Sequence, residues 1–177
     1  EAIRTACAQA RAQVKERMWN VDVQGLLMDD DPALERPQWP FAQARAAVEG
    51  WVLDSPGTIT VADVVRNAKP TVLVGVTGKR GLFSEAMLAE VASNTERPVI
   101  LALSNPTSKT ECTPEEVAKA TQGRGLIATG SPFKPVNWEG KTIAVSQSNN
   151  MYMFPGVGLG ALVAKAPRVT DEMFLAA

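Results

Sequence analysis

The chain of 177 residues contains no histidine and only two cysteines, and each scarcity excludes a class of function. Without histidine, this chain can supply neither a histidine-based catalytic triad nor a histidine-ligated metal. Cys7 and Cys112 form no disulfide or zinc pattern, which indicates idle thiols in a reducing compartment. No apolar run reaches the ~18 residues of a membrane span, and no signal peptide is visible. We therefore expect a cytoplasmic protein without a membrane partner.

The remaining composition is that of an ordinary globular domain, at 45% hydrophobic and 21% charged residues. A net charge of -1 offers no basic surface for nucleic acid, so we expect no such partner. The length suits one domain with a sizeable core. The sequence thus predicts a single domain over residues 1–177.

Short apolar runs alternate with capped helices along most of the chain. Capping boxes begin helices at Thr60 and at Thr113, the second with Pro114 at the first helical position. Further helices are predicted at 1–17, 84–93, 156–165 and from Thr170, and a long loop at 26–51. Strand-like runs lie at 18–23, 71–76, 98–103, 125–129 and 142–147. This alternation predicts an α/β fold with a Rossmann-like, doubly wound parallel sheet.

A helix-like run, not a strand, begins the chain. In a dinucleotide-binding fold, the first strand and a Gly-rich phosphate loop come before the first helix. We therefore expect that this chain lacks its first strand and Gly-rich loop and is a fragment of a longer enzyme.

Side-chain amides follow two of the predicted strands. Asn105 lies in Leu103-Ser104-Asn105-Pro106-Thr107, and Asn149 and Asn150 follow the run at 142–147. Right-handed crossovers place the carboxyl ends of parallel strands at one edge, where ligands bind. Amides there can donate to a carboxylate or to a nicotinamide carboxamide without carrying charge. The sequence predicts a ligand site at this edge.

Two other features fit a dinucleotide less specifically. Asp22 follows an apolar run and could accept from ribose hydroxyls if that run is the second Rossmann strand; a solvated aspartate is the alternative. The loop at 75–81 contains small residues that let backbone N–H groups approach a ribose or pyrophosphate, although a plain βα turn fits equally well. Its candidate cofactor contacts are Gly75, Val76, Thr77 and Gly78.

Two motifs are weaker than they look. The segment Gly156–Ala161 fits G-x-G-x-x-A, but no strand with a terminal acid follows it, which favours close packing of a Gly-rich helix start. Asp29, Asp30 and Asp31 point different ways from a loop, which favours a solvated cluster over a metal site. Their charge would repel a 2′-phosphate near Asp22 and favours NAD over NADP.

The chain resembles malic enzymes, specifically the later part of their NAD-binding domain. The resemblance runs nearly end to end and rests on three ordered blocks: Leu103-Ser104-Asn105-Pro106-Thr107, Gly130-Ser131-Pro132-Phe133, and Asn149-Asn150 leading to Phe154-Pro155-Gly156. It implies oxidative decarboxylation of L-malate to pyruvate and CO₂ by the full-length enzyme, with NAD accepting the hydride and a divalent Mg or Mn ion assisting. It also implies a homo-oligomer, dimeric or tetrameric.

The same resemblance implies roles for particular residues. Asn105 and Asn150 would hold malate, with Asn149 a close candidate, and Leu103, Ser104 and Asn105 would lie beside the nicotinamide ribose. Gln38 occupies a position associated with glutamine in NAD-linked members. The catalytic tyrosine and lysine, the malate-binding arginine and the metal ligands would lie upstream, so no catalytic or metal-binding residue is expected in this chain.

Two alternatives remain open on sequence alone. Another Rossmann dehydrogenase, such as one acting on amino acids, would leave the paired asparagines unexplained. A non-catalytic nucleotide-binding module would need the first strand and the Gly-rich loop.

Overall fold

A computed structural model describes residues 14–177. The predicted helix at 1–17 therefore lies largely outside the described residues, as does Cys7. Contacts divide the described chain into two compact units, the first formed by residues 14–71 with Glu85–Pro98 and the second by Val72–Ser84 with Val99–Ala177. The predicted single domain stays a prediction, and each unit is described by itself. No helix among residues 14–177 is long and apolar enough to cross a membrane.

Two short strands and two complete helices lie in the described part of the first unit. Strand β1, Val21–Asp22, pairs antiparallel with β2, Gly25–Leu26. Single-turn 3₁₀ helices at Trp39–Phe41 and Arg45–Val48 interrupt the predicted loop. Helix α1 spans Val61–Ala68, and helix α2 spans Glu85–Asn94.

The predicted capping box of α1 is present. The Thr60 side chain accepts from the Asp63 backbone N–H, and the Asp63 carboxylate accepts from the Thr60 backbone N–H. Two of the amides left free at the helix start are satisfied in this way. The core beside this helix is formed by Leu26, Met28, Val48, Ile59 and Val64.

A parallel sheet of four strands forms the centre of the second unit. Its strands are β3 (Val72–Gly75), β4 (Val99–Ala102), β5 (Leu126–Thr129) and β8 (Val145–Gln147). A hairpin lies between β5 and β8. Their order is β3-β4-β5-β8 and all three pairings are parallel, which confirms the predicted Rossmann-like α/β class. Helix α3, Pro114–Ala120, begins with the predicted capping box at Thr113 and Glu116.

The predicted strand at 142–147 is divided in two. Strand β6, Val136–Trp138, which the sequence did not predict, pairs antiparallel with β7, Lys141–Ile143, whereas β8 joins the main sheet. Glu139 and Gly140 both have positive φ, at 47° and 79°, and turn the chain between β6 and β7. A two-residue turn of this handedness matches the twist of a hairpin.

The chain after β8 is helical, as predicted. Helix α4 spans Phe154–Val163, and α5 spans Asp171–Ala176 with Thr170 as its cap. Several large apolar side chains of α4 are exposed, among them Phe154, Leu159 and Leu162.

Candidate functional site

The carboxyl ends of the four parallel strands are in register. Gly75 is the neighbour of Ala102, Ala102 of Thr129, and Thr129 of Gln147. The chain therefore leaves the sheet at four adjacent points along one edge, and the loops that follow carry the amides and small residues singled out by the sequence. Parallel sheets bind ligands at this edge.

The loop after β3 is tied to the loop after β4 through Glu111. The backbone N–H and the hydroxyl of Thr77 each donate to Glu111 Oε1 at 2.8 Å, and the Ser104 hydroxyl donates to the same oxygen at 2.5 Å. The Gly78 N–H donates to Ser104 Oγ at 2.8 Å. One carboxylate thus fixes the candidate cofactor loops at Gly75–Gly78 and Leu103–Asn105 relative to each other.

The carboxylate of Glu111 is fully buried yet remains ionised. Burial acts to raise its pKa, but hydrogen bonds from the Ser104 hydroxyl and from the backbone and side chain of Thr77 outweigh burial and hold the pKa below its usual range. Space for the carboxylate depends on Gly75, because a Cβ there would lie 2.6 Å from Cγ and Cδ of Glu111. This contact explains why the strand ends in glycine.

Asn105 lies at the start of the loop after β4, with an exposed side chain that is held at one end. The Ser131 hydroxyl donates to Asn105 Oδ1 at 2.7 Å. Its Nδ2 has no hydrogen-bond partner within the chain from residue 14 onward. The peptide bond between Asn105 and Pro106 is cis. Asn105 therefore offers a neutral donor after the carboxyl end of β4, and its role in ligand binding stays a prediction.

The two neighbouring asparagines after β8 differ in their use. Asn149 Nδ2 donates to the Gly130 carbonyl at 3.0 Å, and its Oδ1 accepts from the Met151 N–H at 3.0 Å. The Asn150 side chain is exposed and makes no hydrogen bond to any described residue. Geometry therefore favours Asn150 for ligand binding and Asn149 for shaping the loop, and both roles stay predictions.

Asp22 does not end one of the four parallel strands that the structure describes, and its predicted place at the end of a second Rossmann strand stays a prediction. It ends β1, which pairs only with β2 in the described chain, because Gly25 at φ 112° turns the backbone straight back. Within the first unit, Asp22 Oδ2 accepts from Gln38 Nε2 at 2.9 Å, while Oδ1 accepts from the Val23 N–H. Asp22, predicted to contact a ribose, and Gln38, predicted to bear on cofactor choice, are therefore in direct contact.

The loop that contains Asp29, Asp30 and Asp31 is less negative than its sequence suggests. Arg45 pairs with Asp30 through two hydrogen bonds of 2.9 and 2.7 Å, so one of the three charges is locally neutralised. Among residues 14–177, no group of three acidic or cysteine side chains is arranged to hold a metal. Burial raises the pKa of the Cys112 thiol to about 12, which makes it unreactive.

The G-x-G-x-x-A segment lies wholly inside helix α4, whereas a phosphate loop lies between a strand and a helix. Its predicted close packing is not found among the described residues, since a Cβ at Gly156, Gly158 or Gly160 would meet nothing within 4 Å.

Sequence reasoning missed Glu111 and Ser131 as parts of the site. Glu111 does not follow a predicted strand, and Ser131 follows the predicted strand at 125–129 but received no role of its own; each acts through a partner distant in sequence. For Glu111, the one available signal was its position beside Cys112, two residues before the helix start at Thr113.

Comparisons with known proteins agree with this geometry. Residues 2–177 match the family model described as malic enzyme, NAD binding domain. The chain is 48% identical to an NAD-dependent malic enzyme of Acinetobacter baylyi over 93% of its length and 49% identical to one of Shewanella woodyi over 96%. One from Cronobacter sakazakii is 45% identical over 99% of the chain.

The chain spans 29% of the length of the first two relatives and 31% of the third. The residues matched by the family model include the whole parallel sheet. The chain belongs to the malic enzyme family, as part of its NAD-binding domain.

Proposed function

We propose that the protein to which this chain belongs oxidises and decarboxylates L-malate to pyruvate and CO₂ while reducing NAD to NADH. The observation that carries this proposal is the register of the strand ends, which presents the free Nδ2 of Asn105 on the ligand edge of the sheet. Family membership supports the same reaction, because the relatives are NAD-dependent malic enzymes.

The amides would bind and orient malate. Asn105 Nδ2 and the Asn150 side chain donate to carboxylate oxygens without adding charge to the site. Orientation by such neutral donors brings the reacting bond into position before the chemical step. A hydrogen bond to a charged group stabilises the complex by about 1.5–3 kcal/mol.

The loops after β3 and β4 fit a cofactor that approaches the backbone. Gly75 and Gly78 carry no side chain, Val76 is 75% exposed, and the Glu111 network holds this loop against Leu103–Asn105. Such a surface can contact the nicotinamide ribose. When bound, NAD supplies the hydride acceptor. This chain supplies the amide donors that orient malate and the loops that hold the cofactor in place.

In the first unit, the exposed carboxylate of Asp22 has the chemistry to accept hydrogen bonds from ribose hydroxyls, with Gln38 holding one of its oxygens. A divalent Mg or Mn ion bound by residues outside this chain, a dimeric or tetrameric assembly and a cytoplasmic location complete the proposal.

The test is steady-state kinetics of the full-length protein carrying Asn105→Ala or Asn150→Ala. Each variant removes one donor to a carboxylate, so we expect kcat/KM for malate to fall roughly 10- to 150-fold. Asn105→Ala should also raise the KM for NAD, and Asn150→Ala less so. Thermal stability should change little, because both side chains are exposed.

Asn67→Ala is the matched control. The Asn67 amide bonds within the first unit to Val52 and to the Asp63 carbonyl, so its loss should lower the melting temperature and leave the kinetics per folded molecule unchanged. The proposal fails if Asn105→Ala and Asn150→Ala behave like this control, or if amino acids replace malate as the better substrates.

A further inference from the structure

The amide of Asn105 is held by a residue that lies on a different loop. Ser131 follows β5, and its hydroxyl donates to Asn105 Oδ1 at 2.7 Å across the gap between two adjacent strand ends. Since Oδ1 is occupied, the amide plane is fixed and both N–H groups of Nδ2 remain available to a ligand.

Ser131 is itself rigid. Ser131 is only 5% exposed. Its carbonyl accepts a hydrogen bond of 2.8 Å from the hydroxyl of Thr129, which is itself only 1% exposed. The donor that orients Asn105 is therefore anchored in the core at the end of β5.

Gly130 leaves the space that this arrangement needs. A Cβ at Gly130 would lie 2.9 Å from Asn105 Nδ2 and would overlap the carbonyl oxygen of Leu103. The Gly130 N–H donates to the Ala102 carbonyl at 3.1 Å, and its carbonyl accepts from Asn149. Gly130 thus leaves space beside Asn105 Nδ2, while the adjacent Ser131 donates to Asn105 Oδ1.

We propose that Ser131 is a positioning residue for malate binding, acting through Asn105: its hydroxyl orients the amide so that Nδ2 donates to a malate carboxylate. This inference rests on the proposed function. It assigns Ser131 no contact with malate, so its effect must disappear when the Asn105 amide is absent.

A double-mutant cycle in the full-length enzyme tests this dependence. Ser131→Ala alone removes one neutral hydrogen bond, worth about 0.5–1.5 kcal/mol, so kcat/KM for malate should fall about 2- to 12-fold. In an Asn105→Ala background, the same substitution should change kcat/KM by less than about 2-fold, because the group that it orients is gone. Ser131→Cys keeps the side-chain size with a weaker donor and should lower kcat/KM in the same direction even if Ser131→Ala folds poorly.

Thr121→Val is the matched control, because the Thr121 hydroxyl is equally buried but bonds to Val117 near the opposite end of β5. It should lower the melting temperature and leave kcat/KM unchanged. Additive losses from Ser131→Ala and Asn105→Ala, or a Ser131→Ala variant with normal kinetics, would overturn the inference while the proposed function stands. Normal kinetics of Asn105→Ala would overturn both.

Discussion

Glu111 and Asp63 are carboxylates without exposed surface, and both are held ionised by hydrogen-bond donors. Asp63 accepts from the backbone and hydroxyl of Thr60 and from the Asp54 N–H; burial opposes ionisation, but these bonds lower its pKa. A carboxyl whose pKa is lower in the folded than in the unfolded protein stabilises the fold above the unfolded pKa. That contribution is lost as the pH falls through the folded value.

A first prediction follows for Glu111. Replacing it with Gln in the full-length enzyme removes a charged acceptor and should lower the free energy of unfolding at pH 7 by about 1.5–3 kcal/mol. The difference from wild type should shrink as the pH falls below about 4.5, the ordinary glutamate value, since protonation removes the same charge from wild type. Thermal melts between pH 7 and pH 3 measure this; a constant difference across that range would contradict it.

At the scale of elements, the candidate site residues lie on loops, and the strands and helices fix where those loops begin and end. The connection from β2 to α1 is long and contains only 3₁₀ turns, yet it is ordered by local bonds. Gln38 Oε1 accepts from the Glu35 N–H while Nε2 donates to Asp22, and Arg45 pairs with Asp30. Loop geometry thus couples Gln38 to Asp22, the carboxylate that we propose for the ribose.

Cofactor choice is the prediction that belongs to this loop. We expect the full-length enzyme to prefer NAD. Gln38→Lys combined with Asp29→Asn and Asp31→Asn should raise kcat/KM for NADP relative to NAD about 10-fold or more, because a cation near Asp22 can pair with a 2′-phosphate and repulsion is reduced. Asp30 is left in place because Arg45 already neutralises it.

Gln38→Met serves as the control, since it breaks the contact with Asp22 without adding charge. It should weaken NAD use without any gain in NADP use. Side-by-side kinetics with both cofactors decide the matter, and a wild-type preference for NADP would refute the electrostatic argument.

At the scale of the whole molecule, apolar surface is concentrated in the last helices. In α4, Phe154, Leu162 and Val163 are each at least 76% exposed, and in α5 Leu175 is 86% exposed. Large apolar side chains exposed in this number are typical of regions that contact further protein. The relatives are more than three times as long as this chain, whose share of them is 29–31%.

We therefore expect the purified chain of 177 residues to show no malate-dependent reduction of NAD. It spans only a fraction of each active relative, and the proposed acid–base and metal-binding residues lie elsewhere in the protein. Affinity for NAD should also be weak, with a Kd above about 1 μM, equivalent to about 8 kcal/mol. Absorbance of NADH at saturating malate and calorimetric titration with NAD measure both; turnover by the piece alone would contradict the proposal.

The sequence by itself determined the elements whose signals are local. Capping boxes at Thr60 and Thr113 depend on residues three apart, and apolar runs such as 98–103 are continuous, so α1, α3 and β4 lie where they were predicted. The fold class follows from their alternation, and the asparagine blocks predict which edge of the sheet binds ligand. Backbone hydrogen bonding and side-chain period are properties of short segments, which is why one sequence suffices.

Only the tertiary structure decided which of those residues act together. The turn at Glu139 and Gly140 placed half of a predicted strand in a hairpin, and the turn at Gly25 paired β1 with β2. Contacts between residues far apart in sequence made Glu111 the link between two loops and Ser131 the support of Asn105. Such roles depend on which strand ends become neighbours, and that follows from the packing of the whole sheet rather than from any local pattern.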